Sequence, residues 1–104
     1  MSNTYNGWTN YATWRVNLEI FDGMNARDIT GRAVPVISEL KDALRELAEE
    51  TIESTSGEGL ARDYALAFLS DVNWWEIANT MLVNSYVEDG QPIPEELWKE
   101  RQTA

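Results

Sequence analysis

The sequence predicts an all-α protein: a small bundle of four main helices plus a short C-terminal helix, with an extended N-terminal arm. Two observations favour this fold class. Apolar residues recur at spacings of three and four in several stretches, and no stretch alternates apolar and polar residues as a half-buried strand does. The chain has 104 residues and no cysteine. We therefore expect a single helical domain over residues 1–104, large enough to bury a core without disulfides.

The first predicted helix follows an arm of residues 1–8, in which Trp8 is expected to fold back over an edge of the core. Thr9 or Asn10 can cap this helix, because a side-chain oxygen there accepts a backbone N–H of the first turn. Asp22-Gly23 ends it. One face is interpreted as core, and it comprises Tyr11, Trp14, Leu18 and Phe21.

The longest predicted helix runs from Pro35 to about Glu53 and has two opposite faces. Pro35 suits a first turn, where its missing N–H would be unpaired anyway. The apolar face is predicted to be core and contains Val36, Ile37, Leu40, Leu44 and Leu47. The second face, which we call the acidic stripe, contains Glu39, Asp42, Glu46, Glu49 and Glu53. The two lie nearly opposite because each helical residue turns by about 100°.

The segments before and after the longest predicted helix are less uniform. Residues 54–59, after it, are predicted to form a loop. Residues 24–32 fit either a short helical turn from Ala26 or a loop, with Gly31 as a break. A third main helix is predicted from Leu60 to Ser70. Its helical pattern runs through Leu60, Tyr64 and Phe68, with Leu69 alongside.

The fourth main helix is predicted from Trp74 to about Val87, with Asn73 and Glu76 in the positions of a capping box. Asp89-Gly90 stops it. The residues expected to be buried are Trp74, Ile77, Met81 and one side of Tyr86. Pro94 then opens a short last helix over residues 95–101, in which Leu97 and Trp98 are expected to dock on the bundle.

The acidic charge belongs to one part of the chain. The net charge is −10; residues 1–34 hold three acidic and three basic residues, whereas residues 35–104 hold fifteen acidic and five basic residues. Because a polyanion is bound by a basic patch, this argues against direct contact with nucleic acid or with a membrane. No apolar run approaches the roughly 20 residues that cross a bilayer, and no signal peptide is recognisable. We expect a protein of the host cell cytoplasm.

The residue inventory argues against catalysis. The chain has no histidine and no cysteine, so the commonest general base, thiolate chemistry and most zinc or iron sites are excluded. Acidic side chains spaced along one helix point into water and do not converge as a glycosidase pair or a magnesium site requires. The sequence predicts no enzyme, no cofactor and no metal.

Two motifs carry a resemblance to a known family. Residues 5–14, YNGWTNYATW, resemble the N-G-W-T-N-Y-x-T-W opening of a family of small proteins of bacteriophages and mobile elements, whose function is generally unassigned. Residues 73–78, NWWEIA, resemble that family's later W-x-E-I-A segment. The resemblance implies an accessory role in a phage or mobile element, and supplies no catalytic residues. It also implies an acidic residue at position 12, which would complete a capping box from Thr9, where this chain has Ala12.

The acidic stripe is the main candidate binding site. Its carboxylates follow each other about 5 Å apart along the helix, comparable with the phosphates of a nucleic-acid strand. This spacing predicts that the stripe occupies the basic nucleic-acid-binding surface of a host defence protein, such as a restriction or CRISPR effector. The alternative is a solvated helix face on which Lys41 and Arg45 pair with acidic neighbours.

Three further residues are candidates for contact with a partner protein. Asn10 belongs to a polar, uncharged stripe that otherwise serves capping. Trp8 and Trp75 offer aromatic area; Trp74 and Trp75 point about 100° apart on a helix, so both cannot lie equally deep. These residues also fit a second function, a non-catalytic helical interaction module or homodimer whose charge maintains solubility. Salt dependence separates the two functions, because only charge-based binding weakens steeply with ionic strength.

Overall fold

The computed structural model describes residues 5–32, 35–56, 59–95 and 97. Within these residues the chain forms helices and no strand, apart from one isolated bridge between Tyr5 and Trp8. The predicted all-α fold is thereby confirmed. The helices are α1 (Tyr11–Val16), α2 (Ala26–Thr30), α3 (Ile37–Ser56), α4 (Leu60–Phe68) and α5 (Trp74–Glu88).

Helices α3 and α5 form the centre of the bundle. α5 contributes seven buried residues, including the predicted Ile77 and Met81. α3 faces it with the fully buried Leu40, Leu44 and Ala48. The two helices pack together, while α1, α2 and α4 lie around this pair. The longest predicted helix is therefore central, and it shares that position with α5.

The buried side of α1 differs from the predicted aromatic face. Phe21 is buried, as predicted, together with Ala12 and Val16, whereas Trp14 is half-buried and Tyr11 and Leu18 are 42% and 45% exposed. The cause is a five-residue π turn that follows α1 directly and ends at Phe21. A π turn holds one more residue than an α turn, so it rotates the chain and brings Phe21 onto the side of Val16.

Residues 24–32, which sequence patterns leave open, contain α2. The N–H of Asp28 donates to Asn25 Oδ1 at 2.9 Å, and the N–H of Asn25 donates to Asp28 Oδ2 at 3.0 Å. This reciprocal capping box fixes the start of the helix. Gly31 ends it with a φ of 83°, a conformation that favours glycine.

The start of α3 lies two positions beyond the predicted Pro35. Val36 precedes the helix and accepts a hydrogen bond from the N–H of Leu40 at 3.0 Å. Its side chain is 63% exposed, so its assignment to the core face is wrong. Helical periodicity assigns a side chain to a face only inside the helix, and Val36 lies before the first turn.

The end of α3 lies at Ser56, beyond the predicted Glu53. The Thr55 hydroxyl donates to the Thr51 carbonyl at 2.7 Å. The hydroxyl side chains that suggested a loop thus bond back onto the last turn of the helix. Residues 57–58 of the predicted loop lie outside the described residues.

α4 has the predicted position but exposes its predicted apolar side. Leu60 and Tyr64 are 67% and 69% exposed, and Phe68 is also exposed. No residue of α4 is buried. The helix is anchored by the partly buried Leu66 and by Leu69, which follows in a short 3-10 turn. α4 therefore covers part of the core while its own apolar side faces solvent.

The described part of the N-terminal arm is a tight turn and not an extended chain. Tyr5 and Trp8 exchange two backbone hydrogen bonds of 2.8 Å. Asn6 and Gly7 between them have φ values of 49° and 86°, the geometry that an Asn-Gly pair favours in two-residue turns. Trp8 packs against the core, as predicted. Residues 1–4 lie outside the described residues.

The C-terminal helix falls largely outside the part of the chain that the structure describes. Leu97 is buried, as predicted, and its N–H donates to the Pro94 carbonyl at 3.1 Å. Trp98 and the rest of residues 98–101 are not among the described residues.

Candidate functional site: an acidic helix face and a neighbouring apolar groove

The acidic stripe lies on the solvent side of α3. Four of its carboxylates are exposed and Glu49 is half-buried. The opposite side of the helix carries Leu40, Leu44 and Ala48, all at 0% exposure. The separation of the two faces therefore follows the predicted pattern, while binding by the stripe stays a prediction.

Three of the stripe carboxylates have an arginine partner. The pairs are Arg32–Glu39 at 3.6 Å, Arg45–Glu49 at 4.0 Å and Arg62–Glu53 at 3.4 Å. Every side chain in these pairs is at least 31% exposed, so each pair contributes only about 0–1 kcal/mol. Such pairs lower the local charge, yet they are weak enough to exchange for a partner's cations.

Asp42 and Glu46 lie at the middle of the stripe. Neither side chain makes an ion pair or a hydrogen bond with another residue in the described part of the chain. They stand one helical turn apart, about 6 Å along the axis. The negative charge of the stripe is thus least compensated at its centre.

Asn10 of the first motif makes hydrogen bonds within α1 and to the turn before α5. Its Oδ1 accepts hydrogen bonds from the Thr13 N–H at 2.9 Å and the Thr13 hydroxyl at 2.7 Å. Its Nδ2 donates to the Asp71 carbonyl at 2.8 Å. Asn10 is thus the N-cap of α1 and also ties that helix to the turn before α5.

Asn73 and Glu76 complete this arrangement from the other side. Asn73 Oδ1 accepts the Glu76 N–H at 3.0 Å and caps α5, while Asn73 Nδ2 donates to Thr9 Oγ1 at 2.9 Å. The N–H of Asn73 donates to Thr13 Oγ1 at 2.8 Å. The N–H of Thr9 donates to Glu76 Oε1 at 2.8 Å. We call these residues the N-cap clasp: Thr9, Asn10, Thr13, Asn73 and Glu76.

The N-cap clasp keeps one half of the capping box that the sequence suggests, the bond from the Glu76 N–H to Asn73 Oδ1, and replaces the other half. In a strict box the Glu76 carboxylate would accept the Asn73 N–H. Here it accepts the N–H of Thr9, and the buried hydroxyl of Thr13 serves Asn73 instead. The starts of α1 and α5 are therefore hydrogen-bonded to each other. These bonds account for Asn10 without a partner protein, and its role in partner binding stays a prediction.

Trp8, Trp74 and Trp75 lie at intermediate depth. Trp74 packs against the core, with its ring 6.5 Å from that of Phe21 at an angle of 78°. Trp75 is half-buried, as is Trp8. This agrees with the expectation that adjacent tryptophans cannot both lie deep. Contact of Trp8 and Trp75 with a partner stays a prediction.

Sequence patterns missed an apolar groove of about 490 Å³ between α1 and α4. Its floor contains the buried Val16 and Leu69, and Ile52 of α3 lines it as well. Tyr64 and Phe68 of α4 form one wall. The spacing of Leu60, Tyr64 and Phe68 indicated an apolar face, but spacing cannot say whether another element covers that face. We call this feature the α1–α4 groove.

Aromatic rings of the first motif cluster with Tyr11, which lines the α1–α4 groove. The ring centroids of Tyr5, Tyr11 and Trp14 lie 4.9 to 5.7 Å apart. Tyr11 also meets Phe68 edge to face at 6.4 Å, which connects α1 with α4. Edge-to-face pairs of this kind add about 0.5–1.5 kcal/mol beyond area burial, so this pair helps to hold α1 against α4.

Arg15 lines the α1 side of the same groove. Its Nη1 donates to the Tyr11 hydroxyl at 2.7 Å, and its Nε donates to Glu19 at 2.8 Å. The bond to Tyr11, followed by the charge of Glu19, raises the pKa of the Arg15 guanidinium above its ordinary value. Arg15 is therefore a cation whose charge is paired within the fold, in a pair that is about half exposed to solvent.

The described residues contain neither a cluster that could hold a metal ion nor a helix that could span a membrane. No group of three or more acidic residues within them stands close enough to hold a metal ion. Among the same residues, no helix has the length and apolar character that crossing a membrane requires.

A family comparison places the chain. The model of a family of unknown function, DUF7249, matches residues 1–98. The chain belongs to this family. The match spans both motifs and every helix described above, which agrees with the expected family of unassigned function. No curated protein and no solved structure shows significant similarity to the chain.

Proposed function

We propose that this DUF7249 member is a non-catalytic accessory protein of a bacteriophage or mobile element that binds and inhibits a host nucleic-acid-binding defence protein. The observation that carries the proposal is the acidic stripe, which presents five carboxylates on the solvent side of one helix. The resemblance of residues 5–14 to a phage protein family supports the origin. A restriction or CRISPR effector is the kind of target we expect in the host cytoplasm.

The stripe has the dimensions of a short nucleic-acid strand. From Glu39 to Glu53 it spans about 21 Å of a straight helix. Asp42 and Glu46 keep uncompensated charge at its centre, and the whole chain carries −10. A basic cleft that binds phosphates attracts such a surface and associates with it quickly at low salt. Binding would block nucleic acid by occupying its cleft.

Competition with nucleic acid tests this function. The chain is immobilised, host proteins are captured at low salt, and the bound protein is then challenged with duplex DNA or RNA. We expect nucleic acid to release the captured protein and added salt to weaken its binding steeply. A captured protein that binds nucleic acid and the chain at the same time, with little salt dependence, would contradict mimicry.

A second function, a helical protein-interaction module or homodimer, is favoured by the exposed apolar side of α4. Leu60 and Tyr64 present more than half of their surface to solvent, and clusters of exposed apolar residues are typical of interfaces. In this case the charge serves solubility alone. Binding that persists unchanged in high salt, or a stable dimer, supports this function over the first.

A further inference from the structure

The α1–α4 groove has the form of a binding site for a helix. Two helices bound it, its floor is the buried pair Val16 and Leu69, and its volume is about 490 Å³. Tyr64 stands on its wall with 69% of its surface exposed. Grooves of this type accept amphipathic helices whose apolar residues recur at three- and four-residue spacing.

The charges around the groove indicate the chemistry of its occupant. Arg15, which lines the groove, pairs with Glu19 at 2.8 Å, and Arg62, two positions before Tyr64, pairs with Glu53 at 3.4 Å. Asp63, next to Tyr64, has no ion pair among the described residues. The five charged side chains named in and beside the groove, three acidic and two basic, therefore sum to −1.

The acidic stripe ends next to a residue that lines the groove. Ile52 of α3 lines the groove, and the adjacent Glu53 is the last carboxylate of the stripe. A second copy of this chain would bring a further charge of −10 to this surface. A basic partner would instead meet opposite charge beside an apolar floor.

We propose that the α1–α4 groove binds an amphipathic helix of a partner protein, with apolar residues in the groove and basic residues facing Asp63 and the end of the acidic stripe. The inference rests on the proposed function in that the partner is a basic protein. The groove would add a second, apolar contact with the partner, next to the contact that the acidic stripe makes by charge.

Three helical peptides of about 18 residues, roughly 27 Å long, test the groove on the full chain. The first combines leucines at three- and four-residue spacing with lysines elsewhere. The second keeps the leucines and replaces lysine by glutamate, and the third has the first composition in a scrambled order. We expect the first peptide to bind about tenfold or more tightly than the other two.

Variants of the chain locate the binding. Tyr64→Ser is expected to weaken binding of the lysine–leucine peptide about tenfold. Val36→Ser, at a similarly exposed residue outside the groove, is the matched control and should leave binding unchanged. Both sites are exposed, so neither change should impair folding. Chemical-shift changes on binding should concentrate at Ile20, Ile52 and Phe68.

Several results would overturn the inference. These are equal binding by the lysine and glutamate peptides, equal binding by the parent and Tyr64→Ser, or no binding of any peptide. A dimer of the parent chain that Tyr64→Ser converts to a monomer would assign the groove to a second copy. The proposed function is tested separately. Asp42→Asn with Glu46→Gln should weaken the binding of a captured partner protein whether or not the groove binds a peptide.

Discussion

α5 and α4 use their apolar residues in opposite ways. α5 buries seven residues, and its first turn is tied to α1 by the N-cap clasp. α4 buries none, and Leu60 and Tyr64 face solvent. The difference teaches that the buried sides of α3 and α5 hold the fold, whereas the apolar side of α4 is left open to solvent. Changes on the buried sides should cost free energy of unfolding, whereas changes on the exposed side of α4 should leave it nearly unchanged.

The largest effect is expected at the contact between α3 and α5. Leu44→Ala removes a side chain with no solvent exposure, and should lower the free energy of unfolding by about 2–5 kcal/mol. Leu60→Ala is the matched control on α4, where we expect a change within about 0.5 kcal/mol. Urea unfolding measures both. Equal losses at the two leucines would abolish the distinction between the helices.

The N-cap clasp should have the next largest effect. Thr13→Val keeps the shape of a fully buried side chain but removes the hydroxyl that accepts the Asn73 N–H. We expect a loss of about 1–3 kcal/mol, because a part-buried donor is left without a partner. A loss below about 0.5 kcal/mol in thermal or urea unfolding would mean that α1 and α5 are held together mainly by apolar contacts.

Asn79 is the exception within α5, and it gives a smaller effect of opposite sign. The residue has no exposed surface, and neither atom of its amide has a hydrogen-bond partner among the described residues. Asn79→Leu should raise the free energy of unfolding by about 1 kcal/mol, since burying an unpaired amide is costly. If the variant is instead less stable than the parent, the Asn79 amide makes a stabilising interaction in the folded chain.

Local patterns in the sequence predict most of the helices, but not which sides of them are covered. Asn73, Asp89 and Gly90 carry their own start and stop signals, so the bounds of α5 were predicted closely. The predicted core face of α1 is wrong for Tyr11 and Leu18, because the π turn shifts Phe21 relative to Leu18. No spacing rule contains that rotation, since a π turn depends on how the helix end packs.

The binding surfaces were predicted in part. The acidic stripe follows from periodicity alone, because one helix supplies all of its residues. The α1–α4 groove joins residues from three helices, and its exposure depends on Leu66 and Leu69 as the anchors of α4. In the N-cap clasp, the Glu76 carboxylate accepts the Thr9 N–H and the Thr13 hydroxyl accepts the Asn73 N–H. These bonds join residues 60 or more positions apart in the chain, and a single sequence does not indicate such long-range pairing.

The salt dependence of partner binding tests the central claim, that the acidic stripe recognises a basic surface. Asp42→Asn with Glu46→Gln removes two charges from the centre of the stripe, and Glu88→Gln with Asp89→Asn removes two exposed charges at the end of α5. Both variants should keep the parent's free energy of unfolding within about 0.5 kcal/mol. We measure the affinity of each for the captured basic protein over a salt series. The account predicts weaker binding and a shallower salt dependence for the stripe variant alone. Equal affinity and equal salt dependence of the two variants would contradict it.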